Sequence, residues 1–204
     1  MNNWGNIVYN KKNKQDKPKK NEKAGSNNFD SNSTNTIYFY SGVSDESVFD
    51  LNKEIEKKSK ELTIMGISCN IPPPPLNIKI HSYGGSVFSA FAAMNYIENC
   101  NVETRSYIDG AAASAATLMS VVANKRYIAR HGYMLIHQLS AWTAGTYEEL
   151  KDDMKNNESL MEKIYNVYEA KTRIPKAKLK EVLKRDLWWD AETCLKYGLV
   201  DEIV

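Results

Sequence analysis

The chain has 204 residues, 42% of them hydrophobic, and a formal charge of +2, enough for one sizeable globular domain and too short for two. Its longest mostly apolar run, Ala111 to Ala123, is about 13 residues, short of the ~20 that cross a bilayer. No basic stripe with interleaved aromatics suggests a nucleic-acid groove, and three widely spaced cysteines, Cys69, Cys100 and Cys194, read as reduced thiols rather than a disulfide framework or a zinc site.

Residues 1 to 35 are rich in Asn, Lys and Ser and carry seven lysines against Asp16, Glu22 and Asp30. They contribute +4, the rest of the chain −2, so the body is not basic. With few apolar positions they cannot bury enough surface to offset the entropy of ordering, and they read as a disordered tail ahead of a domain over 36–204. The polar amino terminus has no apolar stretch of the kind signal peptides carry. The expected location is cytoplasmic, or an organelle or plastid-like stroma.

Thr36 to Val43 has the β-branched and aromatic content of a first strand. Ser44 then caps a helix running to about Leu62, with Val48, Leu51, Ile55 and Leu62 on one stripe. A short strand is expected after Leu62, then a surface loop at Pro72 to Pro75, because four prolines cannot join a sheet interior. Leu76 to Ser82 alternates as a strand and runs into Tyr83-Gly84-Gly85-Ser86. The helix that follows is expected to bury Val87, Phe88, Phe91, Ala92, Met94 and Ile97. Glycines between a strand end and a helix start let backbone N–H groups approach a ligand, although no nucleotide-binding glycine pattern is present.

Val102 to Ile108 reads as the next strand. A turn at Asp109-Gly110 and helix-forming alanines then place the Ser114 hydroxyl in the first turn of a buried helix, where unpaired N–H groups favour an anion. The same stretch also reads as a small-residue helix packed closely on a neighbour. Arg126 to Ala129, a turn at Arg130-His131-Gly132, and Tyr133 to His137 read as a β-hairpin ending on His137. Tyr147 to about Lys171 is a long amphipathic helix with Leu150, Met154, Met161, Ile164, Val167 and Tyr168 on its apolar stripe. A helix this long in a small domain is expected to project and pack on another subunit. Pro175 opens the next helix. Asp190 caps a short one over Ala191 to Tyr197 with Gly198 as its stop, and Leu199 to Val204 closes the chain as a strand.

Ser114, His137 and Asp186 therefore appear in that order, each at an element boundary. A hydroxyl is a poor nucleophile at neutral pH and needs an imidazole to take its proton. The imidazole in turn needs a partner on its other nitrogen. Asp190 is the rival acid but is better explained as a helix cap. His131 reads as a solvent-exposed turn residue, His81 as a strand residue beside the glycine turn, and Trp188 and Trp189 as packing.

Four stretches carry a resemblance to a known family: Ile80 to Val87 (Ile-His-Ser-Tyr-Gly-Gly-Ser-Val), Gly110 to Ala116, Met134 to Gln138 and Arg185 to Ile203. In that order they resemble the ClpP (caseinolytic protease) family of self-compartmentalising serine peptidases, over roughly residues 36 to 204. The resemblance implies an α/β fold of the ClpP/crotonase type, built of repeated ββα units with a projecting helix for oligomerisation. It implies Ser114 as nucleophile, His137 as general base, Asp186 as orienting acid, and the backbone N–H groups of Gly85 and Ala115 as the oxyanion hole. It also implies substrate strands paired after Gly85 and after His137, assembly into stacked tetradecameric rings, and feeding by an AAA+ unfoldase, with no cofactor or metal. Tyr83 and Leu139 stand where the family usually has proline, and Ala115 where methionine is frequent; these departures bear on the primary specificity pocket. The alternatives are a non-catalytic ring subunit of the same fold and a crotonase-fold acyl-CoA enzyme. The latter needs no serine, histidine and aspartate together.

Overall fold

The computed structural model describes residues 35–204; the tail expected over 1–35 therefore lies, all but its last residue, outside the described residues. The central sheet has the strand order β1 (Thr36–Phe39), β2 (Leu76–Ser82), β3 (Thr104–Ala113), β4 (Lys125–Ile128) and β7 (Glu202–Ile203), all neighbours parallel. Strict alternation in the strands buries Ile37, Phe39, Ile78, Ile80, Ile108 and Ile128 on one side. The opposite side carries Tyr38, Lys79 and the stacked, register-paired rings of Tyr107 and Tyr127. Helices α1 (Asp45–Cys69), α2 (Val87–Glu98) and α3 (Ala115–Val121) pack on the apolar side and bury Leu51, Ile55, Ala93, Ile97 and Met119 against it. One hydrophobic core results.

Helix α1 opens on a reciprocal capping pair, Ser44 with Ser47. It does not stop near Leu62, and the short strand expected between there and Pro72 is helix instead. The helix continues through Gly66, which is buried against Ile71 and Pro73; a Cβ there would lie 3.0 Å from both. It ends at Asn70 in the left-handed conformation (φ 53°), a residue type that tolerates αL. Pro72 to Pro75 then form the expected irregular connection into β2. Along α2 the buried face is rotated from the expected one: Ala90, Ala93, Met94 and Ile97 are buried, whereas Phe88 and Ala92 are exposed.

Strand β3 corrects two expectations. Asp109-Gly110 is not a turn, and Ala111 to Ala113 are strand rather than helix. Gly110 serves the ring of His81, whose Nδ1 would lie 2.7 Å from a Cβ at that position, and the Ala111 N–H donates to this nitrogen at 3.2 Å. The ten-residue strand then has room for two parallel partners on one edge. β4 pairs with Arg105 to Ile108, and β5 (Tyr133–Leu135) with Ala111 to Ala113. β4 and β5 are therefore successive neighbours of β3, not a hairpin. Arg130-His131-Gly132 steps the chain between them while it keeps its direction.

The 25-residue α4 (Tyr147–Lys171) is capped by Thr146 and Glu149; the hydrogen bonds from Thr146 hold the Glu149 carboxyl below its usual range. Only the distal end of its stripe is covered: Ile164 and Tyr168 are buried, whereas Leu150 and Met154 are exposed. α5 (Lys176–Leu183) buries Leu179 and Leu183. β6 (Trp189–Asp190) pairs antiparallel with β5, and α6 (Ala191–Tyr197) ends at Gly198 in αL (φ 71°). Of the expected last strand only Glu202–Ile203 pairs; Leu199 and Val200 are instead fully buried in the core.

Candidate active site

Ser114 stands at the join of β3 and α3 with φ 54° and ψ −126°, a left-handed backbone for a residue other than glycine. It therefore caps the helix from outside rather than lying in its first turn. Its N–H donates to the Leu135 carbonyl at 2.8 Å. Its carbonyl accepts from the Thr117 N–H (3.0 Å) and the Thr117 hydroxyl (2.6 Å). Thr117 also bonds the buried Tyr168 hydroxyl at 2.6 Å, and burial pushes that phenol up. The elbow is thus tied to β5 on one side and to α4 on the other, leaving its side chain partly exposed.

The glycine turn approaches this elbow from β2. A Cβ on Gly84 (φ +91°) would lie 2.6 Å from the Ala113 oxygen and 2.8 Å from Ser114 Cβ; one on Gly85 (φ +150°) would lie 2.1 Å from the Val43 oxygen. Only glycine fits at either position. Gly85 bridges Val43 through the bonds Val43 N–H to Gly84 O and Ser86 N–H to Val43 O, both 2.8 Å. In a parallel bridge of this kind the central residue's own N–H points away from the partner. Among the described residues the Gly85 N–H therefore has no acceptor, and Ala115, first residue of α3, has the uncommitted N–H of a helix start.

His137 lies just past β5, and its Nδ1 is 2.7 Å from Asp186 Oδ1. The neighbouring Gln138 N–H donates to the Leu183 carbonyl at 2.6 Å, which ties this segment to the end of α5. Ser114, Ala115, His137 and Gly85 line one cavity of about 250 Å³, whose apolar side is Val87, Leu118, Leu139, Ile164 and Tyr168. Among the described residues no hydrogen bond joins the Ser114 hydroxyl to His137. The five site residues expected from the resemblance are thus gathered at one place: four line the cavity, and Asp186 is hydrogen-bonded to one of those four, His137.

The rivals lie elsewhere. Asp190 accepts from the Thr193 N–H at 2.9 Å as the cap of α6, and bonding from the Thr193 side chain, then from its N–H, holds the carboxyl below the usual range. His131 is exposed, and His81 is turned onto Gly110 rather than into the cavity. Cys194 is buried, which pushes its thiol up to about 12. Trp189 packs on Tyr197. The segment expected to pair substrate after His137 forms no strand, and the chain after Gly85 enters α2 at Val87. Two features escaped the sequence: the need for glycine at position 84, which only its closeness to Ser114 reveals, and a ring contact between Tyr83 and Trp188.

No cluster of three or more His, Cys, Asp or Glu suited to a metal occurs among the described residues, and none of their helices is long and apolar enough to cross a membrane.

Parallel sheet, glycine turn, serine elbow and projecting helix together define an α/β protein with the ClpP fold. A ClpP1 mutant from Listeria monocytogenes superposes with a TM-score of 0.72 at 21% identity, covering 83% of this chain and 91% of its own. Residues 31–204 match the family model described as Clp protease, and the chain belongs to that family. It is 27% identical over 172 residues to "ATP-dependent Clp protease proteolytic subunit 1" of Chlamydia caviae, covering 82% of this chain and 85% of the relative. The proteins of the same name from Chlamydia pneumoniae (30% over 137 residues, 65% and 72%) and of subunit 2 from Bacillus licheniformis (29% over 131 residues, 63% and 69%) are similar in kind.

Proposed function

We propose that this chain is a serine endopeptidase, with residues 36–204 as its catalytic domain and Ser114, His137 and Asp186 as its triad. The observation that carries the reading is the 2.7 Å contact between His137 Nδ1 and Asp186, with His137 and Ser114 on the walls of one cavity. The carboxylate holds the proton on Nδ1 and leaves Nε2 to act as base. His137 takes the proton of Ser114 as its oxygen attacks the scissile carbonyl, and returns it to the departing amine. The developing oxyanion is met by the N–H groups of Gly85 and Ala115, each such donor being worth ~3 kcal/mol in the transition state. Water then attacks the acyl-enzyme as His137 takes its proton, and His137 returns that proton to the Ser114 oxygen as the ester bond breaks and the acid product leaves.

The partners follow from family membership and from the bare stripe of α4. Leu150 and Met154, exposed on a helix of 25 residues, support packing against further copies in stacked rings. The words "ATP-dependent" and "proteolytic subunit" in the relatives' names support an ATP-driven unfoldase that feeds unfolded polypeptide into the chamber. The test is hydrolysis of a fluorescently labelled, permanently unfolded protein by the full chain, sized in solution. Activity abolished by Ser114→Ala and by His137→Ala is expected. Equal activity in either variant would overturn the assignment. The open Ser114–His137 pair favours a second reading, a non-catalytic ring subunit, which requires assembled rings with no hydrolysis.

A further inference from the structure

Asp186 is held by very little. Its side chain is 78% exposed, and it sits on a short irregular stretch between two anchors. On one side the Arg185 N–H donates to the Val182 carbonyl at 2.9 Å; on the other, Trp189 pairs with Met134 in β6. Within the stretch Leu187 is exposed, and the one side chain besides Asp186 with a ring contact is Trp188. Its ring meets Tyr83 edge-on, centroids 6.2 Å apart and planes at 83°, the arrangement that sets a positive ring edge against a negative face.

Tyr83 is well placed to receive it. It immediately precedes Gly84-Gly85 and lines the cavity with Ser114. Its ring also meets that of His81 edge-on, centroids 5.8 Å apart. His81 is fixed by the Ala111 N–H and by the ring of Tyr40, 5.6 Å away. Tyr40 in turn bonds Asp109, and that carboxylate pushes the phenol up to about 12. A row of rings thus runs from the first three strands to the acid-bearing stretch, and Tyr83–Trp188 is its last link.

We propose that Tyr83 is a positioning residue: through Trp188 it holds the Asp186 stretch so that the carboxylate stays on His137. The inference rests on the peptidase reading but concerns a contact that exists without it. The rival role for Tyr83 is a wall of the substrate site, which would act on substrate directly and leave the His137–Asp186 bond alone.

The experiment uses the full-length assembled protein, labelled with ¹⁵N-histidine, as wild type and as Tyr83→Ala, Tyr83→Phe, Trp188→Ala and Asp186→Asn. Two quantities are read: the strongly downfield proton signal of the His137 Nδ1–H bound to a carboxylate, and the rate at which a fluorophosphonate labels Ser114. Tyr83 is exposed, so its truncation leaves the core intact. Wild type is expected to show the signal, Tyr83→Ala and Trp188→Ala to lose it, and Tyr83→Phe, which keeps the ring edge, to restore it. Labelling should fall about tenfold in Tyr83→Ala and fall no further when that change is added to Asp186→Asn, since both act through one bond. A signal that survives in Tyr83→Ala and Trp188→Ala overturns the proposal, as does an added tenfold loss in the Asp186→Asn background. Wild type without an adduct at Ser114 would instead count against the peptidase reading, while the histidine signal still decides the contact.

Discussion

Gly84→Ala probes the elbow without touching a reacting group. At φ +91° an alanine is strained, and its Cβ would stand 2.6 Å from the Ala113 oxygen and 2.8 Å from Ser114 Cβ. Two of the three nearest atoms are backbone, so nothing can swing aside; the turn and the elbow must separate. Strain of this kind costs about 1–3 kcal/mol, against about 5–15 kcal/mol for a typical domain, so the protein stays folded. A loss of about 2 kcal/mol lowers the thermal midpoint by roughly 4–8 °C in a domain of this size. Displacing Ser114 from the Gly85 N–H by the order of 1 Å should slow fluorophosphonate labelling about a hundredfold. Gly42→Ala is the control, since its Cβ would meet only the Gly84 oxygen at an ordinary 3.7 Å. Labelling of Gly84→Ala within twofold of wild type would refute the reasoning, because it would mean that the glycine turn and the Ser114 elbow are not in mutual register.

The two aspartates should separate cleanly. Asp186→Asn is expected to slow labelling at least about a hundredfold, since an amide cannot hold the Nδ1 proton in the same way, with an unchanged denaturation midpoint. Asp190→Ala should do the opposite, lowering the midpoint by about a few degrees through loss of the α6 cap and leaving labelling alone. Arg126 grips Asp201 through two guanidinium nitrogens and also donates to the Lys171 and Gly198 carbonyls. Arg126→Ala is expected to cost about 2–4 kcal/mol in denaturant titration, because it leaves a carboxylate and two carbonyls short of donors. Burial pushes the Asp201 carboxyl up, but Arg126 outweighs it and the net direction is down. Stability from this pair is therefore complete above the ordinary carboxylate range near ~4 and is lost as the pH falls below it. Arg126→Ala should flatten that part of the stability-against-pH curve.

The candidate site positions are legible in the sequence where the hydrophobic period changes. Leu76 to Ser82 alternates and then meets two glycines, and Tyr133 to Ile136 runs apolar into His137. Asp190 announces itself as a cap three residues before the Thr193 N–H it accepts. Pairing was less legible. Asp109-Gly110 is a turn signal in isolation, yet Gly110 is small for the sake of the His81 ring, which comes from another strand. Taken as a turn, Asp109-Gly110 leaves β3 too short to pair with both β4 and β5, and those two then read as a hairpin. The end expected for α1 near Leu62 fails in the same way: the helix runs on through Gly66, which is small against Ile71 and Pro73 of the connection that follows. On α2 the alanines, rather than Phe88, face the core, because the helix approaches α3 closely. The Tyr83–Trp188 contact joins residues far apart in sequence, and no local pattern marks it.

The central claim is that Ser114 is an activated nucleophile. Its most direct test is covalent labelling of the assembled full chain with a fluorophosphonate probe, mapped by peptide mass spectrometry. The account expects one adduct on Ser114, absent from Ser114→Ala and from His137→Ala. No adduct in a preparation shown by sizing to be a ring, or an adduct on another serine, would contradict it.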